Sequence, residues 1–176
     1  MVPPVTQLYC KRWSLGKPFS DLGLSRRGTQ PFEWEPWTAR GTTRHLHALG
    51  YCVVSELPLP LGRRADLVAL GGDGEILIVE IKSSIADFRA DQKWMDYRLH
   101  CDRLFFATIG DVPCEIFPRD AGLIVADAFG ASIVCEAPEH RLKAARRKTV
   151  MLRFAHAAAL RLQALADPHG PYGGEG

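Results

Sequence analysis

The sequence predicts a single domain of the α/β class, in which a mixed sheet is flanked by helices. Two patterns carry this prediction: a β-hairpin pattern over residues 64–82, and a helical stripe after it that leads into the apolar run 103–108. With 176 residues, 47% of them hydrophobic, the chain is long enough to bury one substantial core. Helices that alternate with strands in this way pack in layers on the sheet.

The domain is predicted to cover residues 36–166. Residues 1–35 are rich in proline, glycine, serine and arginine and show no sustained hydrophobic period, which is typical of a flexible N-terminal extension. Residues 167–176 are predicted to be a disordered tail. The sequence contains no apolar run of the length that a signal peptide or a membrane span requires, so the predicted location is the cytoplasm.

The first predicted elements are a helix, a strand and the hairpin. A helix over 38–49 precedes a strand over 51–57, which is expected to run beside the hairpin. The hairpin strands cover 64–70 and 75–82, and they are joined by the turn Gly71-Gly72-Asp73-Gly74.

A single helix is predicted over 84–100, with Ser84 as its N-cap and Asp87 in the capping-box position. Its apolar residues recur at helical spacing, and a polar amide falls on the same stripe. The stripe expected to face the sheet holds Ile85, Phe88, Met95 and Leu99, with Gln92 among them.

The remaining elements complete the sheet and close the domain. Strand 103–108 is expected to lie parallel to the second hairpin strand, because the helix between them crosses over the sheet. Two short strands over 122–127 and 132–136 follow, and an alanine- and leucine-rich helix over 148–165 ends the domain. The result is a mixed sheet with helices packed against it.

Three charged side chains are predicted to meet at the open end of the hairpin. If the turn is centred on Asp73, Asp66 and Glu80 lie opposite each other, since each is seven positions from that centre. Directly opposed side chains have Cβ atoms about 4.5–5.5 Å apart. Lys82 shares the face of Glu80 because side chains alternate along a strand.

Two adjacent carboxylates on an apolar strand are unfavourable unless a cation neutralises them. Mg²⁺ or Mn²⁺ would do so, with Asp66, Glu80 and the backbone carbonyl of Ile81 as the predicted ligands and water in the remaining positions. Lys82 would hold or polarise the attacking water and stabilise charge on a phosphate. The alternative is that both acids face water at the strand ends and that Lys82 only pairs with Glu80.

The polar and aromatic residues of the predicted helix leave two interpretations open. A buried amide needs partners, and Gln92 would find them either at the charged cluster or on the backbone. Tyr97 and Trp94 flank the stripe, either as core packing residues or as contacts to a nucleotide.

These residues resemble the motifs of the PD-(D/E)XK nuclease superfamily and, within it, the MmcB family of bacterial DNA repair proteins. The resemblance runs from about Arg40 to Gln163 and is carried by residues 63–66, 79–84 and 87–97. It implies a restriction-endonuclease-like core of a helix, a three-stranded antiparallel unit, a second helix and further strands. It also implies that Asp66 and Glu80 bind the metal and that Lys82 and Gln92 act in catalysis, while Tyr97 is similar to a tyrosine of many members.

The sequence departs from the superfamily pattern at two places. Ala65 stands where the superfamily's name has a proline. The helix over 38–49 contains no acidic residue, although the first helix of active members often supplies a further glutamate to the metal site. Glu56 on the following strand is a candidate substitute, and the alternative is an exposed strand glutamate.

Nucleic-acid contacts are predicted from local charge, because the net charge of the whole chain is only +2. Basic residues cluster around the start of the last helix, where they would contact phosphates or form an ordinary solvated helix start. The predicted nucleic-acid contacts are Arg64, Lys93, Tyr97, Arg146, Arg147 and Lys148.

The predicted function is that of a DNA repair protein, a Mg²⁺- or Mn²⁺-dependent endonuclease that hydrolyses DNA phosphodiester bonds. The alternative is an inactive or weakly active module of the same fold that binds damaged or branched DNA and recruits repair factors. The predicted partners are DNA in damaged, branched or single-stranded form and other repair factors; no membrane is expected, and a homodimer is left open. The five cysteines form no CxxC pair, which argues against a zinc site.

Overall fold

The structure is a computed structural model that describes residues 34–170, with the exception of 83, 92–93 and 111–113. The extension predicted over 1–35 and the tail predicted over 167–176 lie mostly outside the described residues, so both remain predictions.

Within the described residues, six strands form one sheet in sequence order, from β1 at one edge to β6 at the other. The strands are β1 (Cys52–Pro58), β2 (Arg64–Leu70), β3 (Ile76–Lys82), β4 (Arg103–Thr108), β5 (Gly122–Ala126) and β6 (Ala131–Cys135). The first three pair antiparallel, β4 and β5 continue parallel to β3, and β6 is antiparallel. A three-stranded antiparallel unit followed by a parallel crossover is the predicted restriction-endonuclease-like arrangement, and the predicted fold class is confirmed.

Helices cover both faces of the sheet, as predicted for the α/β class. Helix α1 (Trp34–Ala48) packs through Leu46 on the face that carries Val79 and Ile81. Helix α2 (Ile85–Ala90) and helix α3 (Ala144–Ala166) pack on the other face. The apolar side chains of the sheet are therefore buried in two layers. In the described part of the chain, no helix combines the length and the apolar character needed to cross a membrane.

The hairpin has the predicted register. Leu67 pairs with Val79, Val68 with Ile78, and Leu70 with Ile76. The turn contains Gly74 at φ +86°, a conformation that glycine adopts without steric penalty. One further step along this register places Asp66 opposite Glu80, as the sequence predicts.

The prediction of one continuous helix over 84–100 is wrong. Helix α2 ends at Ala90, and a 3₁₀ helix, Trp94–His100, follows. A 3₁₀ helix has 3.0 residues per turn, so the apolar stripe of an α-helix does not continue through it. Met95 and Leu99, predicted to face the sheet, are 61% and 42% exposed.

The start of the predicted helix does match the prediction. Ser84 is the N-cap, and its hydroxyl accepts a hydrogen bond from the backbone N–H of Asp87 at 3.1 Å. Ile85 and Phe88 pack against the core, and in the second segment Tyr97 is buried in place of the two predicted residues. The helical period thus predicts the buried residues only up to the break.

A buried carboxylate, Asp102, joins the sheet to α3. It accepts hydrogen bonds from the backbone N–H groups of Ile76 and Leu142, both at 2.8 Å. It also receives two hydrogen bonds from the Arg147 guanidinium, at 2.8 and 2.6 Å. The two-point contact with a charged donor is the strong form of this interaction. Asp102 therefore holds the start of β3 and the start of α3 together.

Candidate active site

The charged cluster predicted from the sequence forms at one end of the sheet, where β2 begins and β3 ends. Asp66 lies on β2, and Glu80 and Lys82 lie on β3. The Asp66 Oδ2 atom accepts a hydrogen bond from the Ile81 N–H at 2.7 Å, and the Asp66 N–H donates to Glu80 Oε1 at 3.3 Å. Each acid is thus held by the backbone of the neighbouring strand.

Glu80 is enclosed by the protein. Its side chain is only 4% exposed. Burial, and after it the nearby Asp66 carboxylate, raise the pKa of the carboxyl group from 4.5 to about 8. The Lys82 ammonium opposes this effect without cancelling it. A cation bound next to Glu80 would lower the pKa of its carboxyl group, because a nearby positive charge favours the ionised form.

Lys82 is held by an acid that the sequence reasoning did not single out. Its Nζ atom lies 2.8 Å from Asp91 Oδ2 and 4.0 Å from Glu80 Oε2. Burial acts to lower the pKa of Lys82, but the hydrogen bond and the charge of Asp91, together with the charge of Glu80, outweigh it, and the pKa is raised. The sequence did contain a signal, since Asp91 lies three residues after Phe88 and so adjoins the core-facing stripe.

Tyr97 forms a wall of the site. The residue is 9% exposed, and its hydroxyl donates to the backbone carbonyl of Arg64 at 3.1 Å. Burial raises the pKa of the phenol, and the charges of Glu80 and Asp66 raise it further. Tyr97 thus belongs to the core, the first of the two interpretations that the sequence left open, and its contact to a nucleotide stays a prediction.

Glu56 lies beside the site but points to solvent. The pairing of Ser55 with Leu67 and of Leu57 with Ala65 places Glu56 level with Asp66. Its Oε2 atom lies 2.5 Å from Arg64 Nε, and its side chain is 48% exposed. This is the placement of an exposed strand glutamate, the alternative named above.

The backbone at Glu56 is unusual. Glu56 is the only non-glycine residue with a positive φ, +50°, in the described part of the chain. The observed first helix, α1, begins at Trp34 and therefore includes Glu35, which lay outside the predicted helix over 38–49. Helix α1 packs on the face of Val79 and Ile81, whereas Glu80 and Lys82 point to the other face. A role for Glu56 as a metal ligand stays a prediction.

Within the predicted basic cluster, Arg147 is engaged by other groups of the protein. This guanidinium is bound to Asp102 and to the carbonyl of Gly74 near the start of β3. At about 3.3 Å per residue, the start of β3 lies roughly 20 Å from Lys82 at its end. Arg147 therefore makes structural contacts, and its contact to DNA stays a prediction. Its neighbours Arg146 and Lys148 are exposed.

Two further predicted site residues, Gln92 and Lys93, lie outside the described residues, and their roles stay predictions. Arg64 lies two positions before Asp66 and has a side chain that is 68% exposed. It is thus accessible to solvent, and its predicted contact to nucleic acid stays a prediction.

The acids at this site are a donor set that suits a magnesium or manganese ion. Within the described ranges, no three His, Cys, Asp or Glu side chains are grouped closely enough to hold a metal by themselves. Mg²⁺ commonly takes only one or two carboxylates and keeps several waters. Asp66 and Glu80 on adjacent strands supply two carboxyl groups, which matches this ligand number.

Glu80 is expected to make stability depend on pH. Between pH 4.5 and about 8 the folded protein holds a proton on Glu80 that the unfolded chain has released. The free energy of unfolding should therefore fall as pH rises through this window, by up to about 1.4 kcal/mol per unit. Glu80→Gln stays uncharged and should lose this dependence, so that it exceeds the wild type in stability most clearly at pH 8.

Thermal unfolding of both proteins from pH 4.5 to 8.5 measures this effect. Glu115→Gln makes the same change at an exposed glutamate and serves as the matched control. Addition of Mg²⁺ at pH 8 should stabilise the wild type and leave Glu80→Gln less affected. A difference between wild type and Glu80→Gln that stays constant across the range would show that Glu80 does not titrate there.

Two solved structures are similar to this chain to different degrees. The SPO1766 protein of unknown function from Silicibacter pomeroyi has 47% sequence identity, a TM-score of 0.75, and an alignment that covers 80% of this chain and 97% of that chain. A repair endonuclease from Pyrococcus abyssi aligns at 15% identity with a TM-score of 0.35, over 51% of this chain and 43% of its own. No curated protein gives a significant match.

The family comparison covers most of the chain. A family model described as DNA repair protein MmcB-like matches residues 29–169, which include every element of the sheet and the whole charged cluster. The resemblance stated from the motifs around Asp66, Glu80 and Lys82 is thereby confirmed. The chain belongs to the MmcB-like family of DNA repair proteins.

Proposed function

We propose that this protein is a divalent-metal-dependent DNA endonuclease. The observation that carries the proposal is the assembly of Asp66, Glu80 and Lys82 at one end of the sheet, with the last two side chains only 4% and 8% exposed. Buried charged groups destabilise a fold unless they are paired. Buried titratable groups with shifted pKa values are common at catalytic and binding sites. Membership of a DNA repair family supports DNA as the substrate.

The residues of the site would divide the work as follows. Asp66, Glu80 and the Ile81 carbonyl would hold Mg²⁺ or Mn²⁺, which supplies positive charge for the phosphate and a more acidic water. The Lys82 ammonium would stabilise the charge that develops on the phosphate oxygens. The Ile81 N–H keeps Asp66 in place through its 2.7 Å hydrogen bond, so the acid is oriented before any ligand arrives.

DNA would approach along the end of the sheet that holds the site. Arg64 is exposed two residues from Asp66, and Arg153 of α3 donates to the carbonyl of Pro58 at 3.3 Å. Pro58 pairs with Arg64 across the β1–β2 ladder, so both guanidinium groups lie near this end. We propose them as phosphate contacts, with Arg146 and Lys148 as more distant ones.

The test compares wild type with Asp66→Asn. Calorimetric titration with Mn²⁺ or Mg²⁺ should show binding that the variant loses, and cleavage of nicked, branched or single-stranded DNA should be lost with it. Asp73→Asn is the matched control, because Asp73 is exposed at the hairpin turn and an asparagine can keep its 3.0 Å hydrogen bond to the Glu75 N–H. Undiminished cleavage by Asp66→Asn would refute the assignment.

A second candidate function, a module that binds DNA without cutting it, is favoured by one observation. The side chain that could supply a third carboxylate, Glu56, is engaged with Arg64 at the surface. The same titrations distinguish the two functions: DNA binding without metal binding or cleavage in the wild type would establish the module, which would then act by recruiting repair factors.

A further inference from the structure

We propose that Asp91 is a positioning residue that holds the Lys82 ammonium in its working place. The inference rests on the proposed function for its catalytic consequence, although the contact itself can be tested without any activity. Asp91 does not belong to the group of residues that the sequence identified as the site.

The contact distances assign the role. Lys82 Nζ lies 2.8 Å from Asp91 Oδ2, a charge-assisted hydrogen bond, but 4.0 Å from Glu80 Oε2. The Lys82 side chain is 8% exposed and the Asp91 side chain 19% exposed, so water has little access to the pair. A buried ammonium without a close anion is strongly unfavourable, and Asp91 is the anion placed to satisfy it.

The backbone explains why Asp91 stays in this place. It follows the last residue of α2, and its N–H donates to the Phe88 carbonyl at 3.2 Å. The Phe88 ring packs edge-on against the Phe106 ring, with 5.3 Å between the ring centroids, and its centroid lies 4.9 Å from that of the Phe117 ring. Helix α2 is thus anchored in the core, and the break at its end sets Asp91 beside the end of β3.

Loss of this anchor has a predictable consequence. A lysine side chain has four rotatable bonds, and without a partner its ammonium group samples several positions. The Glu80 carboxyl group, 4.0 Å from the Lys82 ammonium, is a further acceptor within reach, so the ammonium of Asp91→Asn should move toward Glu80 and away from the substrate phosphate. We expect kcat to fall at least tenfold, KM for DNA to stay within threefold, and Asp91→Glu to recover part of the rate.

The experiment combines an NMR readout with kinetics. The Lys82 ammonium of the wild type should give a ¹⁵N–¹H signal, because buried and hydrogen-bonded protons exchange slowly with water; Lys82→Met assigns the signal by its loss. The signal should disappear in Asp91→Asn and persist in Asp91→Glu and in the control Asp73→Asn. Loss of the signal together with the fall in kcat supports the proposal.

Two results would overturn it: an unchanged ammonium signal in Asp91→Asn, or a lost signal with kcat within twofold of the wild type. Absence of cleavage by the wild type on all three DNA substrates would refute the proposed function instead. The NMR comparison would still decide in that case whether Asp91 holds Lys82, so the two failures are distinguishable.

Discussion

Replacing Asp102 by alanine is expected to lower the free energy of unfolding by about 3–5 kcal/mol, the usual effect of removing one partner from a buried ion pair. The carboxylate is 4% exposed and accepts hydrogen bonds from Ile76, Leu142 and Arg147. Its removal leaves a guanidinium and two backbone N–H groups without their acceptor at the junction of the sheet and α3. Buried hydrogen-bond donors that have neither water nor a protein acceptor lower the free energy of unfolding.

Denaturant titrations of a double-mutant cycle would measure this effect. Arg147→Ala should also be destabilising, and the combination with Asp102→Ala should cost clearly less than the two single changes added, because both remove the same contact. Arg146→Ala, at an exposed neighbouring position, should change stability by no more than about 0.5 kcal/mol. If Arg147→Ala weakened DNA binding without altering stability, the guanidinium would be a DNA contact after all.

Lys82→Met is expected to reduce the cleavage rate about 10²- to 10³-fold, which corresponds to about 2.7–4 kcal/mol of lost transition-state stabilisation. The physical reason is the position of the Lys82 ammonium at the end of β3, 4.0 Å from Glu80. A phosphate bound at this site would place its developing negative charge near the ammonium. Methionine has a similar length and can occupy the buried space, so the substitution removes charge more than packing.

Single-turnover cleavage and equilibrium DNA binding of the same variant test this expectation. Affinity for DNA should stay within about threefold of the wild type, because exposed residues such as Arg64 would supply the phosphate contacts. Lys143→Met makes the same change at an exposed lysine and should be without effect. A Lys82→Met protein that cleaves at the wild-type rate would contradict the role, and one that loses rate and DNA affinity equally would make Lys82 a binding residue.

Local sequence patterns are enough to predict the hairpin and, with it, the central geometry of the site. The signals involved are local: side chains alternate with a period of two, and a glycine turn sets the register. These were sufficient to place Asp66 opposite Glu80 and Lys82 on the face of Glu80, as the observed pairing confirms. The motifs around the same residues were also sufficient to indicate the family.

The break after α2 could not be predicted in the same way. Residues 84–100 contain no proline or glycine, and their apolar period continues across the break. In the folded chain the helix ends at Ala90, and Asp91 leaves the helical conformation with its carboxylate 2.8 Å from the buried ammonium of Lys82. The exposure of Met95 and Leu99 follows from that break.

The partner of Arg147 could likewise not be predicted from local sequence patterns. In the sequence it belongs to a basic cluster, and a cluster of this kind has the same pattern whether its partners are phosphates, water or a buried acid. Its partner, Asp102, lies 45 residues away along the chain. Local patterns therefore determined the strands, the turn and the acids that face each other. The partners of buried charges depended on contacts between residues far apart in sequence, which only the folded chain brings together.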